Sequence, residues 1–126
     1  MANPQSAPVY LNLFRIRFPV GAVTSIAHRL SGVLMVACFP FLIYLLDLSL
    51  QSPADFDRAV DILQTGWLRA GSVIMAWSLF HHLLSGIRFL LIDVGHGLSL
   101  PHARRSAWLV NIAALVMTLA WLWWML

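Results

Sequence analysis

WLRAGSVIMAWSLFHHLLSGIRFLLI, from Trp67 to Ile92, is the long apolar run from which the fold can be predicted. Apolar side chains dominate it, no acidic residue interrupts it, and one arginine lies near each end, Arg69 and Arg88. Roughly 20 apolar residues in a helix are enough to cross the hydrocarbon core of a bilayer. The run is longer than that, so we predict a transmembrane helix over residues 67–92.

A second and a third apolar run lie on either side of it. The uncharged run from Leu30 to Leu46 would cover only about 25 Å as a helix, whereas the hydrocarbon core is about 30 Å thick. We therefore expect the first membrane helix to begin just after Pro19 and to reach about residue 46, with Pro40 inside it as a candidate kink. The third run, Ala107 to Leu126, carries no charge at all.

The composition is also that of a membrane protein. Of the 126 residues, 60% are hydrophobic and only 10% are charged, which is too apolar for a soluble domain of this length. Three helices at about 20–46, 67–92 and 107–126, together with their loops, use nearly the whole chain. We predict one all-α domain over residues 1–126, an integral membrane bundle of three transmembrane helices with no separate catalytic domain.

The charged residues and the cysteine count exclude other classes of protein. All eight basic residues are arginines, and they are scattered among apolar runs instead of clustering with aromatic residues as in nucleic-acid-binding proteins. The single cysteine, Cys38, excludes an intrachain disulfide and a self-contained iron–sulfur site. No small-residue cleavage site follows the first apolar run, so we expect that run to be retained as a helix.

The arginines also predict how the helices are oriented. Arg15 and Arg17 precede the first span and Arg104 and Arg105 precede the third, so one side of the membrane holds all four. The loop on the opposite side has Arg58. The positive-inside rule then predicts a cytoplasmic N-terminus and a periplasmic C-terminus.

Ser25, His28 and Arg29 form one cluster of polar residues within a predicted span. Ser25 is three residues from His28 and four from Arg29, so the three share a helical face. Ionisable side chains within a membrane are costly and usually face a cavity, a cofactor or another helix. The structural alternative is that Arg29 extends to the interface while the other two bond neighbouring helices.

His81 and His82 lie in the middle of the second span and face different sides of its helix. His82 shares its face with Gly86, which would leave a smooth surface for a flat porphyrin. A neutral imidazole is a good haem ligand when its other nitrogen has a hydrogen-bond partner. Arg29 and Arg88, at the cytoplasmic end, would neutralise the haem propionates. A histidine hydrogen-bonded between helices is the alternative, and spacing alone leaves both open.

Three motifs occur together in this chain: I-R-F-P at residues 16–19, S-I-x-H-R-x-S-G at 25–32 and H-x-x-x-G-I-R-x-x-x-x-D at 82–93. With the three-helix layout and the acidic first loop, they make the chain resemble the cytochrome b subunit, or larger membrane anchor, of succinate dehydrogenase (respiratory complex II). The resemblance covers nearly the whole chain.

The resemblance implies roles for individual residues. His82 matches the axial haem ligand, Ser25 and Arg29 match residues of the ubiquinone pocket, and His28 and Arg29 match positions near the haem propionates. Arg88, in the matching G-I-R triplet, is expected in the same propionate region. No residue of the chain is expected to be catalytic.

Two neighbours of these residues remain without an assigned role. Phe89 stands where some members of the family have a histidine near the haem edge, which puts one propionate contact in question. His81, directly before the matched ligand, has no counterpart to which a role can be given.

The resemblance also implies the cofactor, the partners and the location. Haem b would be shared with a second small membrane anchor subunit. Electrons from succinate would reach ubiquinone through a flavoprotein subunit and an iron–sulfur subunit, linking the tricarboxylic acid cycle to the respiratory chain. The chain alone would not be an enzyme, since it has no dinucleotide fingerprint and no cysteine set for clusters. We expect it in a bacterial inner membrane.

The alternative functions are an anchor of a related fumarate reductase, a haem-free membrane assembly protein and a small transporter subunit.

Overall fold

A computed structural model describes residues 16–126, which form four α-helices: α1 (Val20–Gln51), α2 (Pro53–Gln64), α3 (Gly66–Asp93) and α4 (Leu100–Met125). This part of the chain has no β-strand, and α1, α3 and α4 are long and apolar enough to cross a membrane. The predicted all-α fold with three membrane-spanning helices is therefore confirmed. Arg15, which entered the orientation prediction, lies outside the described residues.

The first membrane helix begins where the sequence predicts, at the residue after Pro19. The Pro19 carbonyl accepts hydrogen bonds from the backbone N–H groups of Ala22 and Val23, at 2.9 and 3.2 Å. Pro40 has no N–H to donate, yet α1 continues through it as one helix to Gln51. The helix is thus longer than the predicted span, because residues 47–51 extend it toward α2.

The connection after α1 contains a short helix, α2, although its acidic sequence had indicated a loop. Ser52 caps the start of α2: its Oγ accepts a hydrogen bond from the Asp55 backbone N–H at 3.1 Å, and a proline follows in the first turn. Ala59 of α2 packs against Leu45 and Leu48 of α1 in a small apolar cluster. The acidic connection is therefore held against the end of α1.

A glycine-dependent turn ends α3 and leads into α4. Gly95 has a φ of +91°, and the N–H groups of Gly95 and His96 donate to the carbonyls of Ile92 and Leu91 at 2.9 and 2.8 Å. This pair of bonds closes the end of a helix and requires the positive φ that glycine adopts most easily. The chain then returns alongside α3 as α4, with Pro101 in the first turn.

Small and polar side chains fill the interior between the three long helices. The buried residues include Thr24, Ser31, Ala76, Ser78, Ala107 and Ala114. Large apolar side chains such as Val36 and Leu109 are more than half exposed. Lipid tails can cover such apolar surface, and small residues let membrane helices approach closely. The packing is therefore that of a membrane bundle, with its polar groups inside.

Candidate functional site

His82 of α3 lies against the backbone of α1. Its Nδ1 is 3.1 Å from the carbonyl oxygen of His28 and 3.2 Å from the Oγ of Ser31, and this hydroxyl also donates to the His28 carbonyl at 2.8 Å. A carbonyl oxygen only accepts hydrogen bonds, so Nδ1 carries the proton of the imidazole. In the neutral ring, Nε2 then keeps a free lone pair. The His82 side chain can therefore ligate a metal ion through Nε2.

Gly32 of α1 makes room for this ring. A Cβ atom at Gly32 would lie 3.0 Å from Cε1 and 3.3 Å from Nδ1 of His82, so one of the two would have to shift. A Cβ atom at Gly86 would meet the Nε2 of His28 at 3.7 Å, an ordinary van der Waals contact. The position of the His82 ring therefore depends on Gly32 more than on Gly86, the glycine singled out from the sequence.

The His28 ring covers one face of the His82 ring. The two imidazoles are stacked, with 4.1 Å between their centroids and 16° between their planes. Phe89 meets the His28 ring at 5.3 Å in an edge-to-face arrangement. The residue that departs from the family pattern is therefore a direct neighbour of His28.

An open groove between α1 and α3 exposes both histidines. It has a volume of about 590 Å³ and is lined by His28, Arg29, Gly32, Val33, Val36, Ala37 and His82. The lining combines two imidazoles, a guanidinium, and otherwise small or apolar side chains. Such a combination suits a flat and largely apolar ligand that carries a metal ion and anionic groups. We call it the histidine groove.

Arg29 and Ser25 lie at different distances from this groove. Arg29 is exposed and forms part of the lining. Ser25, one turn earlier on the same face of α1, is half-buried and is not part of the lining. The structure thus brings Arg29 together with His28 and His82, and Ser25 adjoins this group along the helix.

His81 points into the bundle. It is only 2% exposed, its Nε2 is 3.0 Å from the Oδ1 of Asn111, and its Nδ1 is 3.4 Å from the Oγ of Ser85. The ring also stacks against Trp77, with 5.2 Å between the centroids. Because both ring nitrogens have partners within the chain, His81 is the histidine that bonds between helices.

Asn111 of α4 joins the three membrane helices through one oxygen atom. Its Oδ1 accepts hydrogen bonds from His81 of α3 and from the hydroxyl of Thr24 of α1, at 3.0 and 3.2 Å. Buried polar groups in a membrane need partners, so this network favours one rotation of each helix relative to the others. His82 follows His81 directly, and the rotation that buries His81 in the bundle turns His82 toward α1.

Arg88 is directed at α4. It is 8% exposed, its Nε donates to the Oγ of Ser106 at 2.9 Å, and one terminal nitrogen donates to the carbonyl of Ala103 at 3.0 Å. The guanidinium carbon lies 5.2 Å from the centre of the Phe89 ring. Arg88 does not line the histidine groove.

Ser31, Gly32 and Asn111 shape the site, although the sequence assigned no role to them. Ser31 and Gly32 follow His28 by three and four residues and so share its helical face. Asn111 is the single amide side chain within the third span. The sequence therefore shows the face that Ser31 and Gly32 share with His28, and it shows the lone amide Asn111. It does not show which residues they contact, because those residues lie on other helices.

Comparison with known proteins gives a consistent result along the chain. Residues 3–121 match the family described as succinate dehydrogenase/fumarate reductase transmembrane subunit. The chain is 36% identical over 120 residues to the succinate dehydrogenase cytochrome b556 subunit of Coxiella burnetii, covering 92% of this chain and 96% of the relative. The subunit of the same name from Paracoccus denitrificans is 34% identical over 108 residues, 83% of this chain and 81% of the relative. That of Rickettsia felis is 24% identical over 117 residues, 93% and 90% of the two chains.

These relatives come from bacteria, and three helices of the present chain are long and apolar enough to span a bilayer. The chain is accordingly a multi-pass protein of the bacterial inner membrane. The family match extends over nearly all of its length. The chain therefore belongs to the family of succinate dehydrogenase and fumarate reductase transmembrane subunits, alongside the cytochrome b556 subunits.

Proposed function

We propose that the chain is a haem b-binding membrane anchor of a succinate:ubiquinone oxidoreductase, with His82 as one axial ligand of the haem iron. The observation that carries the proposal is the contact between Nδ1 of His82 and the His28 carbonyl, which leaves Nε2 available. Metal-ligating histidines generally bond such a carbonyl through their other nitrogen, which fixes the tautomer and the ring orientation. The relatives are named as b-type cytochromes, which supports haem b as the metal group.

The residues around His82 fit haem. Haem iron takes four equatorial ligands from the porphyrin and needs only axial donors from protein. The histidine groove is lined by His82, whose Nε2 keeps its lone pair when Nδ1 donates to the His28 carbonyl, and by the apolar side chains of Val33 and Val36. When bound, haem b supplies a one-electron redox centre inside the membrane.

A second chain would supply the other axial ligand. Among the residues that line the groove, His28 is the other imidazole, and its ring stacks on that of His82 at 4.1 Å. Because the two rings are in direct stacking contact, no porphyrin could lie between them, and His28 would not serve as the second ligand. We therefore assign the second ligand to a second small anchor subunit that shares the haem.

Arg29 and His28 would bind the haem propionates. Both line the groove, and Arg29 is exposed at its edge, where a guanidinium can pair with a carboxylate without being removed from water. Arg88 is left out of this proposed site, because it is directed at α4 and does not line the histidine groove.

Ser25 and Arg29 would form this chain's part of a ubiquinone site. They lie one turn apart near the start of α1, and both are at least partly accessible to a partner subunit and a quinone. The Ser25 hydroxyl would donate a hydrogen bond to a quinone carbonyl oxygen. The Arg29 guanidinium would stabilise the negative charge that develops on the quinone as it is reduced.

The soluble partners would dock on the side of the membrane where α1 begins. Arg17 precedes α1, and Arg104 and Arg105 lie in the first turns of α4, so the basic residues gather at that side. This distribution supports a cytoplasmic N-terminus and a periplasmic C-terminus. A flavoprotein subunit and an iron–sulfur subunit would then deliver electrons from succinate close to Ser25 and Arg29.

Purification of the tagged chain from its native membrane tests this proposal. We expect a flavoprotein, an iron–sulfur protein and a second small membrane protein in comparable amounts, with haem b and flavin in equal quantities. A preparation with all three partners and no b-type haem would contradict the haem assignment. A preparation with haem but without the flavoprotein would contradict the assignment to this oxidoreductase.

A further inference from the structure

A second groove, the basic groove, lies between α3 and α4, separate from the histidine groove. Its volume is about 460 Å³, and none of the described residues that line it is acidic. Four groups that carry or can acquire positive charge contribute to its lining: Arg88, His96, His102 and Arg105. A concave surface with this charge is complementary to an anion.

Arg88 carries a buried charge in this groove. It is 8% exposed, and its hydrogen-bond partners in the described part of the chain are neutral, the hydroxyl of Ser106 and the carbonyl of Ala103. A guanidinium has five N–H donors, and these contacts engage only two of its nitrogens. Burial of a cation among neutral groups is costly, and an anion in the groove would reduce that cost.

Apolar side chains line the basic groove on both sides of Arg88, with Leu91 and Ile92 toward the connection to α4 and Leu84 toward the middle of the membrane. On α3, Leu84 lies one turn from Arg88, and on α4, Leu109 lies one turn from Arg105. In both helices the basic residue is the one nearer to the connection between α3 and α4. One apolar part of the groove therefore runs from Arg88 and Arg105 toward the middle of the membrane, along Leu84 and Leu109.

We propose that the basic groove binds an anionic phospholipid, with the phosphate between Arg88 and Arg105 and one acyl chain along Leu84 and Leu109. Arginines at the membrane surface attract anionic headgroups, which gives the charge selectivity. The apolar part favours a lipid over free phosphate, because free phosphate would leave these leucines uncovered. This site is independent of the proposed haem and quinone residues.

Lipid titration followed by native mass spectrometry tests the proposal on the intact complex isolated from its membrane. The complex is depleted of lipid, and phosphatidylglycerol or phosphatidylcholine is added back. Arg105→Gln removes one charge from the groove, and Arg104→Gln is the matched control, because Arg104 is the exposed neighbour that does not line the groove. We expect tight binding of one phosphatidylglycerol to the unmodified complex and to Arg104→Gln, and about fivefold weaker binding to Arg105→Gln.

Four results would overturn the proposal. Equal affinities for the two lipids would remove the anionic selectivity, and equal effects of Arg104→Gln and Arg105→Gln would remove the groove as the binding site. Displacement of the lipid by inorganic phosphate would indicate a site for a free anion. A photoreactive side chain at position 109 that cross-links to a partner subunit, and not to the lipid, would show that protein covers the groove.

Discussion

Gly32 and His82 face each other across the interface between α1 and α3 so closely that a methyl group at Gly32 would lie 3.0 Å from the ring carbon Cε1. The same ring is bonded through Nδ1 to the His28 carbonyl, one helical turn away on α1. A displaced ring would lose this bond, and the direction of Nε2 would change with it. The orientation of the proposed haem ligand is therefore set by α1 as much as by its own helix.

Gly32→Ala is expected to weaken haem binding by about 10–100-fold, the range typical when the support of a metal-ligating histidine is disturbed. Gly86→Ala is the matched control, since its added methyl group would meet His28 at an ordinary 3.7 Å. The measurement is haem b per flavin in the purified complex. Full haem in Gly32→Ala together with loss in Gly86→Ala would mean that the porphyrin rests on Gly86, as the sequence alone had indicated.

Asn111→Leu is expected to lower the stability of the complex by about 1–2 kcal/mol, because it leaves the buried His81 imidazole without its partner on α4. Replacing both partners, as in His81→Phe with Asn111→Leu, should cost less than the sum of the two single changes, since no buried donor is then left unpaired. Thermal unfolding of the solubilised complex measures the loss of stability in each single variant and in the double variant. Strict additivity would argue against the interhelical bond.

Ser25→Ala is expected to lower quinone reductase activity by about two- to tenfold, the effect of losing one hydrogen bond to the quinone. Succinate oxidation by an artificial acceptor should be unchanged, because electrons then bypass the quinone. Ser49→Ala, at the opposite end of α1, is the control and should alter neither activity. An equal loss of both activities in Ser25→Ala would point to failed assembly and not to a quinone contact.

The membrane helices could be predicted from the sequence because bilayer thickness fixes the length of an apolar helix. Pro19 marked the start of α1 correctly, because a helix accommodates a proline most easily at its beginning. α2 was missed because its three aspartates, Asp55, Asp57 and Asp61, were interpreted as part of a polar loop. The sequence Ser52-Pro53-Ala54-Asp55 is nevertheless a helix start signal, and the structure uses it as one.

For the site, the sequence predicts only which residues share a face of one helix. Helical faces separate His81 from His82 on α3, but they cannot identify the α1 residues that contact either ring, because that depends on how α1 and α3 are aligned. The same limit explains Arg88, which spacing grouped with the haem region and which the structure bonds to Ser106 of α4. Hydrogen bonds between helices depend on how the helices pack together, and the residue spacing within one helix does not predict that packing.

The role of His82 is tested by the reduced-minus-oxidised visible spectrum of the assembled complex with His82→Ala, recorded beside that with His81→Ala. We predict that His82→Ala abolishes the b-type haem bands while flavin and iron–sulfur signals remain. His81→Ala should retain the bands, because both nitrogens of that ring are bonded inside the bundle. Intact haem bands in His82→Ala, or their loss only in His81→Ala, would contradict the assignment of His82 as the axial ligand.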